Sequence, residues 1–282
     1  MIKNKVVIYA LTRGYSGAKK INYRFIIMRN LAIKFNLAKS NFDLILFHEG
    51  NITSLDKILI KFLSLSKIKF IDISQDFKPF IDNKFTNESR FPLSYSLMCQ
   101  FQYLHVWKYL KKYDKAVRID EDCIILNLEL NLEEEVLECG YISIESHIET
   151  NSTLPLFLAK IKQEMYYDHL FPYTNVFITN VQFWLDEKVQ KFLFDIYVHP
   201  DSLNSRWGDL PVIGVTLKKF ANWDSKKAIN KKIFYYHHSH RVYVENGRLI
   251  QNPIITRGNI IFVFLFIEKI LSRVRNIYKS NI

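Results

Sequence analysis

From Val6 to Ile119 the chain alternates short unbroken apolar runs with longer stretches whose apolar residues recur every three or four positions. Val6-Val7-Ile8-Tyr9-Ala10-Leu11 is a β-rich run that ends in a glycine-containing loop at Thr12-Arg13-Gly14, and Ile21 to Leu37 then has helical spacing. Together these predict a βα unit. A second strand is expected over Phe42–Phe47, a helix from about Ser54 with Thr53 or Ser54 as its cap, and a third strand over Lys69–Ile73. Residues 74–91 read as loop. Ser94 to Tyr113 again has helical periodicity, with Leu97, Phe101, Leu104, Val106, Trp107 and Leu110 on its buried face, and it feeds the strand Lys115–Ile119. Strands and helices in this order predict an α/β fold whose mainly parallel sheet is flanked by helices. Ligands of such sheets bind beyond the carboxyl ends of the strands.

The second half is more mixed. Strands are expected over Tyr141–Ile144, Asn175–Phe183 and Ile233–His237, and helices over Glu187–Tyr197 and Trp207–Phe220, the latter started by proline. No repeat or low-complexity linker divides the chain, so residues 1–253 read as one domain with a donor-binding front and an acceptor-binding rear. Residues 254–282 form a tail of different character. There Ile260–Ile267 is uniformly apolar but too short to span a bilayer, and Lys269, Arg273, Arg275 and Lys279 follow among apolar residues. That pattern suits a helix lying in the interface of an anionic leaflet; the alternative is a helix packed on the protein's own core.

Composition narrows the partners. Across 282 residues, 39 Lys+Arg against 28 Asp+Glu leave a net charge of +11, which favours polyanions such as a phosphorylated substrate, anionic lipid or nucleic acid. Charge alone does not choose among them, and part of the lysine simply accompanies an Ile-, Asn- and Lys-rich composition. Nucleic acid is disfavoured, because the aromatic residues follow core periodicity and no nucleic-acid module is present. Cys99, Cys123 and Cys139 are odd in number and lack metal-type spacing, which argues against a disulfide framework and a zinc site and for a reducing compartment. The apolar run at the N-terminus is too short for a signal-peptide core. The expected location is cytoplasmic, peripheral on the inner face of the membrane.

Three clusters carry chemistry. Asp120-Glu121-Asp122 directly follows the strand Lys115–Ile119, so two carboxylates one residue apart stand at the mouth of the sheet. Their oxygens suit a hard divalent ion with bound phosphates, as a nucleotide-sugar site requires, although the same triplet is common on solvated loops. Arg206-Trp207-Gly208-Asp209-Leu210-Pro211 places an aspartate at a loop-to-helix transition beside a tryptophan whose flat face suits sugar stacking; an N-cap aspartate with a core tryptophan is the alternative. Tyr235-Tyr236-His237-His238-Ser239-His240 offers imidazole to a metal or to phosphate oxygens. On a strand, His237 and His238 point to opposite faces, so one of them at most reaches the ion.

In this order and spacing the clusters resemble the fungal α-1,2-mannosyltransferase family of the GT-A fold, glycosyltransferase family 15, with its bacterial and viral relatives. The family's Tyr-rich Met-Cys-Arg-Phe helix is matched by Ser94-Tyr95-Ser96-Leu97-Met98-Cys99-Gln100-Phe101, and its Tyr-Asp followed by Arg-Val-Glu-Pro-Asp by Tyr113-Asp114 and Arg118-Ile119-Asp120-Glu121-Asp122. Its Ser-Asn-Phe-Glu-Ile segment closing on Phe-Trp is similar to Thr174-Asn175-Val176-Phe177-Ile178 closing on Phe183-Trp184. The Arg-Trp-Gly-Asp-Ala-Pro-Val segment persists from Arg206 to Val212 with only Leu210 changed, and Tyr-His-His persists as Tyr236-His237-His238. Weaker likeness at Phe42–Phe47 and Thr53 extends it over most of residues 5–240, with the Trp-Gly-Asp segment its most specific part. The basic tail has no counterpart.

The resemblance implies a GT-A nucleotide-sugar-binding fold and retaining transfer of a hexose, mannose favoured, from GDP-mannose with Mn²⁺ or Mg²⁺ to a glycan or lipid-linked acceptor. Carried over by position, Asp120 and Asp122 hold the ribose and metal, His237 or His238 completes the metal shell, Asp209 faces the acceptor or reacting centre, and Tyr95 lines the pocket near the diphosphate. Thr12, Arg13, Arg206 and Trp207 join the donor-binding set. One departure matters: the glutamate proposed as nucleophile in the fungal enzymes aligns with Phe177, which cannot attack an anomeric carbon. Either the leaving diphosphate takes the acceptor proton in a front-face reaction, or another carboxylate such as Asp209 substitutes. Gln100 in place of an arginine also opens the identity of the donor sugar. A non-catalytic glycan- or lipid-binding relative is the competing class.

Overall fold

The computed structural model describes residues 5–12, 23–37, 41–80, 92–128, 141–142, 146–148, 153–205, 207–223, 233–237, 242–245 and 248–250. Arg13, Arg206, His238, Cys139 and the tail 254–282 lie outside the described residues.

The front of the chain is built as β1 (Val6–Thr12), α1 (Tyr23–Asn36), β2 (Phe42–His48), α2 (Ser54–Leu63) and β3 (Ile68–Asp72), each close to its predicted range. Thr53 caps α2 through a reciprocal capping box: its hydroxyl accepts from the Asp56 amide while the Asp56 carboxylate accepts from the Thr53 amide. The long helix expected over 94–113 is interrupted. It comprises α3 (Leu93–Gln100), a π-helical turn over Phe101–His105 and α4 (Val106–Leu110), and all six residues expected on its buried face are buried. Phe101, Gln102, Tyr103 and Leu104 are all buried in that turn, so the helix runs through the core rather than along its surface.

β4 (Lys115–Ile119) and β5 (Cys123–Leu128) follow, then the short strands β6 (Tyr141–Ile142) and β7 (Ser146–Ile148), α5 (Leu154–Lys160), β8 (Leu170–Pro172), β9 (Val176–Asn180), α6 (Val181–Leu185), α7 (Glu187–Tyr197), α8 (Asp201–Asn204), α9 (Asp209–Ala221), β10 (Ile233–His237), β11 (Val242–Glu245) and β12 (Arg248–Ile250). The strand expected over 175–183 ends at Asn180 and turns into α6, where the Trp184 indole donates back to the Thr179 hydroxyl at 2.8 Å.

The main sheet has the order β3-β2-β1-β4-β9-β6. β3, β2, β1 and β4 are parallel, whereas β9 runs antiparallel to β4 and β6 antiparallel to β9. Alternation along β1 sends Val7, Tyr9 and Leu11 to one face, with α3, α4, α6, α7 and α9, and Val6, Ile8 and Ala10 to the other, with α1 and α2. On the first face Trp107 and Trp184 stack with ring centroids 4.8 Å apart. A second, antiparallel sheet β12-β11-β10-β5 closes over α1, so Ile27, Met28, Leu31 and Ala32 meet Ile124 of β5 while Ile26 and Ile33 meet the main sheet. A helix covered on two sides must be apolar nearly all round, which is how α1 reads from Ile26 to Ile33.

Candidate active site

The parallel strands deliver their carboxyl ends to one pole of the sheet. Because β9 is antiparallel to β4, the residues that precede it, Thr174 and Asn175, reach the same pole, and the Asp120 amide donates to the Asn175 carbonyl at 2.8 Å. Tyr9, Arg118 and Phe177 are in register on three adjacent strands and share one face. Arg118 is the organising residue. Its guanidinium, 3% exposed, gives Nε to Asp120 Oδ1 at 2.9 Å and Nη1 to Asp209 Oδ2 at 2.5 Å, and it lies 5.8 Å from the centre of the Phe177 ring. A charged side chain within the apolar run of β4, on the same side of the strand as Ala116, has to find carboxylates when it folds.

Asp209 is the first residue of α9, after the Gly208 cap, where helix amides favour negative charge. Burial alone would raise its pKa, but Arg118, with hydrogen bonds from Thr174 and the Cys99 thiol, brings the carboxyl below its ordinary value. The Thr174 hydroxyl donates to Oδ2 at 3.1 Å. Asp209 is therefore a fixed carboxylate. Asp120 behaves oppositely: burial, reinforced by Asp209 and Asp122, raises its pKa against the pull of Arg118. Arg118 thus serves two carboxylates at this pole.

The imidazole of His237 lies across a short gap from the triplet. Its Nε2 is 3.3 Å from Asp122 Oδ2, its Nδ1 is 3.2 Å from the Tyr173 hydroxyl, and Asn175 Nδ2 is 3.1 Å from the ring nitrogens. β5 and β10 produce this meeting by pairing Cys123 with His237 in antiparallel register. Among the described residues, Asp122, Cys123 and His237 group their ligand atoms within 4.8 Å of one another. Burial, with Asp120 and Asp122 nearby, pushes the Cys123 thiol well above its ordinary pKa, while Asp122 and His237 offer an oxygen and a nitrogen donor. Such a pair fits a hard or borderline divalent ion, with Tyr173 and Asn175 steadying the imidazole behind it.

The other expected site residues are placed as follows. Asp120 turns to Arg118 rather than into the group formed by Asp122 and His237. Tyr95 is half-buried on α3, one turn before Cys99, and so on the side of the helix that meets Asp209. Thr12 ends β1, fully buried, in register with His48 of β2. Trp207 departs from the sugar-stacking expectation. It is 1% exposed, its indole donates to the Thr153 hydroxyl at 2.7 Å, and its ring faces are taken by His199 at 4.8 Å and Phe157 at 5.1 Å. The core-tryptophan alternative describes it. Gln100 is likewise buried and donates to the Ser202 hydroxyl at 2.9 Å.

Arg118, Thr174, Asn175, Tyr173, Cys99 and Tyr9 complete the site; Arg118, Cys99, Thr174 and Asn175 stood in the matched motifs, but none of the six had a role assigned to it. Only Arg118 carried a readable signal, as a lone charge on the inward phase of a strand. Arg29 belongs with them: it is fully buried in α1, and burial lowers its pKa to about 10 against the opposing influence of Glu121 and, more weakly, Asp120 and Asp122. It stays a cation behind the acidic turn.

Neither a protein-family model nor a curated protein sequence matches this chain. Solved structures do resemble it. Core-mannan synthase A (CmsA/Ktr4) from Aspergillus fumigatus, in its Mn/GDP form, is similar with a TM-score of 0.69 at 16% identity, over 84% of this chain and 75% of that one. The S. cerevisiae mannosyltransferase Ktr4p in complex with GDP gives a TM-score of 0.64 at 16% identity, over 83% and 71%. At this identity the likeness establishes architecture, and the chain has the GT-A fold that these mannosyltransferases share.

Proposed function

We propose that this protein is a metal-dependent glycosyltransferase that moves a hexose, mannose favoured, from a nucleotide sugar such as GDP-mannose to a glycan or lipid-linked acceptor, with retention. The observation that carries the proposal is the convergence of Asp122 with His237, and of Asp120 and Asp209 through Arg118, at the carboxyl pole of a GT-A sheet.

Asp122 and His237 would hold the divalent cation, Mn²⁺ or Mg²⁺, and when bound that ion supplies charge compensation for a departing nucleoside diphosphate. The remaining chemistry belongs to the chain and its substrates. Tyr173 and Asn175 orient the imidazole, and Arg118 holds Asp209 ionised and in place. An ionised, triply hydrogen-bonded carboxylate is a weak base and a weak nucleophile, but it aligns a hydroxyl well by accepting its hydrogen bond. Phe177 occupies the position of the proposed nucleophile with an inert ring, fully buried beside Arg118. These features favour front-face transfer: the bond from the anomeric carbon to the diphosphate oxygen breaks, the acceptor oxygen bonds to that carbon on the same face, and the hydroxyl proton passes to the diphosphate. The acceptor-bearing surface is proposed to be the inner face of the membrane, in keeping with the basic, apolar sequence of residues 254–282.

The test is a calorimetric and thermal-shift screen of GDP-, UDP-, CMP- and dTDP-sugars with and without Mn²⁺, followed by Asp122→Ala. The substitution should abolish metal-dependent nucleotide binding, donor hydrolysis and transfer with little change in melting temperature. Full activity in Asp122→Ala would end the proposal, and nucleotide-independent sugar binding in the parent protein would favour the non-catalytic class.

A further inference from the structure

Helix α2 points most of its apolar side chains away from the protein. Ile60 is buried against the sheet, whereas Leu55, Ile58 and Phe62 are 64%, 63% and 73% exposed, and Leu59, Leu63 and Leu65 are exposed as well. The spacing of Leu55, Ile58, Leu59 and Phe62 is i, i+3, i+4 and i+7, so they form one continuous stripe. Lys34 of α1 donates to the Leu65 carbonyl just past the end of α2. Beyond the C-terminal end of the stripe lies a groove of roughly 400 Å³ lined by Lys61, Ser66, Lys67 and Lys69, with Asp43 at its side.

A contiguous apolar face next to a lysine-lined groove is matched by a surface that offers hydrocarbon and phosphate side by side. A second copy of the chain fits less well. Two-fold pairing through this face would carry the lysine groups of both copies into the interface, and interface cores are depleted of lysine. The protein's own tail fits no better, because Lys269, Arg273, Arg275 and Lys279 would approach the same cations. We propose that α2 is a membrane-docking face: Leu55, Ile58, Leu59 and Phe62 enter the boundary between headgroups and acyl chains of an anionic leaflet while Lys61, Lys67 and Lys69 engage its lipid phosphates. As the crossover between parallel β2 and β3, α2 runs antiparallel to the strands, so its N-terminal end lies at the pole that carries Asp120. Docking along α2 therefore lays one flank of the sheet on the bilayer, with the Asp120 pole at one end of the face and the lysine groove at the other. This inference stands whether or not the protein transfers a sugar, and no helix among the described residues is long and apolar enough to cross a membrane.

The full chain is tested by co-sedimentation with phosphatidylcholine vesicles, with and without phosphatidylglycerol. The Phe62→Trp variant adds a reporter, since Trp107, Trp184, Trp207 and Trp223 are all buried. Anionic vesicles should bind the protein, shift the emission of Phe62→Trp to the blue and expose it to quenching by brominated lipid. Ile58→Ser/Phe62→Ser should weaken binding by at least about tenfold with an unchanged thermal midpoint, because both side chains leave water only on docking. Lys61→Glu/Lys67→Glu should remove the preference for phosphatidylglycerol. Three results would overturn the inference: sedimentation with no change in Phe62→Trp emission, which assigns binding to another surface such as the tail; wild-type binding by the serine variant; or a dimer that the serine variant dissolves, without vesicle binding.

Discussion

Replacing Arg118 by methionine tests the electrostatic architecture most directly. The substitution keeps a long side chain against Phe177 but strips Asp120 and Asp209 of the guanidinium that now lies 2.9 and 2.5 Å from them. At an effective dielectric constant of about 20, a pair of unit charges separated by 2.9 Å attracts by roughly 6 kcal/mol. The pair with Asp120, whose side chain is 29% exposed, counts for less because water screens it; the pair with Asp209, 9% exposed, is the deeper one. Desolvation of the ions offsets part of the attraction, so removing one partner of such a cluster should cost about 3–5 kcal/mol. Urea unfolding at neutral pH measures this. The pH dependence has a definite sign. With Arg118 present, Asp209 has a depressed folded-state pKa and stabilises above its unfolded value, losing that contribution as pH falls through the folded one. Without Arg118 burial dominates and the folded-state pKa rises, so the variant is most stable in acid and loses stability as pH rises through that raised value. The gap between the two proteins should widen from acidic to neutral pH. Adding Asp209→Asn to Arg118→Met should recover a substantial share of the loss, because it removes the stranded charge. A neutral-pH cost under about 1 kcal/mol, a gap that does not change with pH, or no recovery in the double variant would show that Arg118 does not hold the two carboxylates in place.

Two further substitutions probe neighbouring features. Phe177→Glu places the family's carboxyl beside Arg118 in a site that already holds two carboxylates; it should destabilise by about 3–5 kcal/mol, least at acidic pH, where the introduced group is protonated, with urea midpoints at acidic and slightly alkaline pH as the check. Gly214 sits inside α9, where a Cβ would stand 2.9 Å from Phe171 Cγ and 3.0 Å from Phe171 Cβ. Alanine, ordinarily better than glycine in a helix by about 1 kcal/mol, should here cost roughly 1–3 kcal/mol, and Phe171→Leu in the same molecule should reduce that cost in a denaturation cycle.

What could be read in the chain was whatever local periodicity and spacing control. The strands β1 to β4, helices α1 and α2, the Thr53 cap and the buried face of α3 and α4 follow from apolar runs and helical spacing, because a strand or helix turns its side chains with its own fixed period whatever lies beyond. Asp122, Asp209 and His237 were legible as chemically loaded residues at element ends. Where local signal conflicted with contact, the fold decided: β9 stops at Asn180 although alternating apolar positions continue to Phe183, and the flat face of Trp207 went to His199 and Phe157 rather than to a ligand.

By itself the sequence determined the α/β order of the front half and the residue types at the mouth of the sheet, since both are set by neighbours within a few positions. The antiparallel run of β9 against β4 and the pairing of β10 with β5 come from the folded whole. Those two pairings carry Thr174, Asn175 and His237 to the acidic strand end, and the packing of α9 brings Asp209 to Arg118, 91 positions away in the chain. Strand order and direction depend on the burial available to the whole chain, and no local window contains that sum.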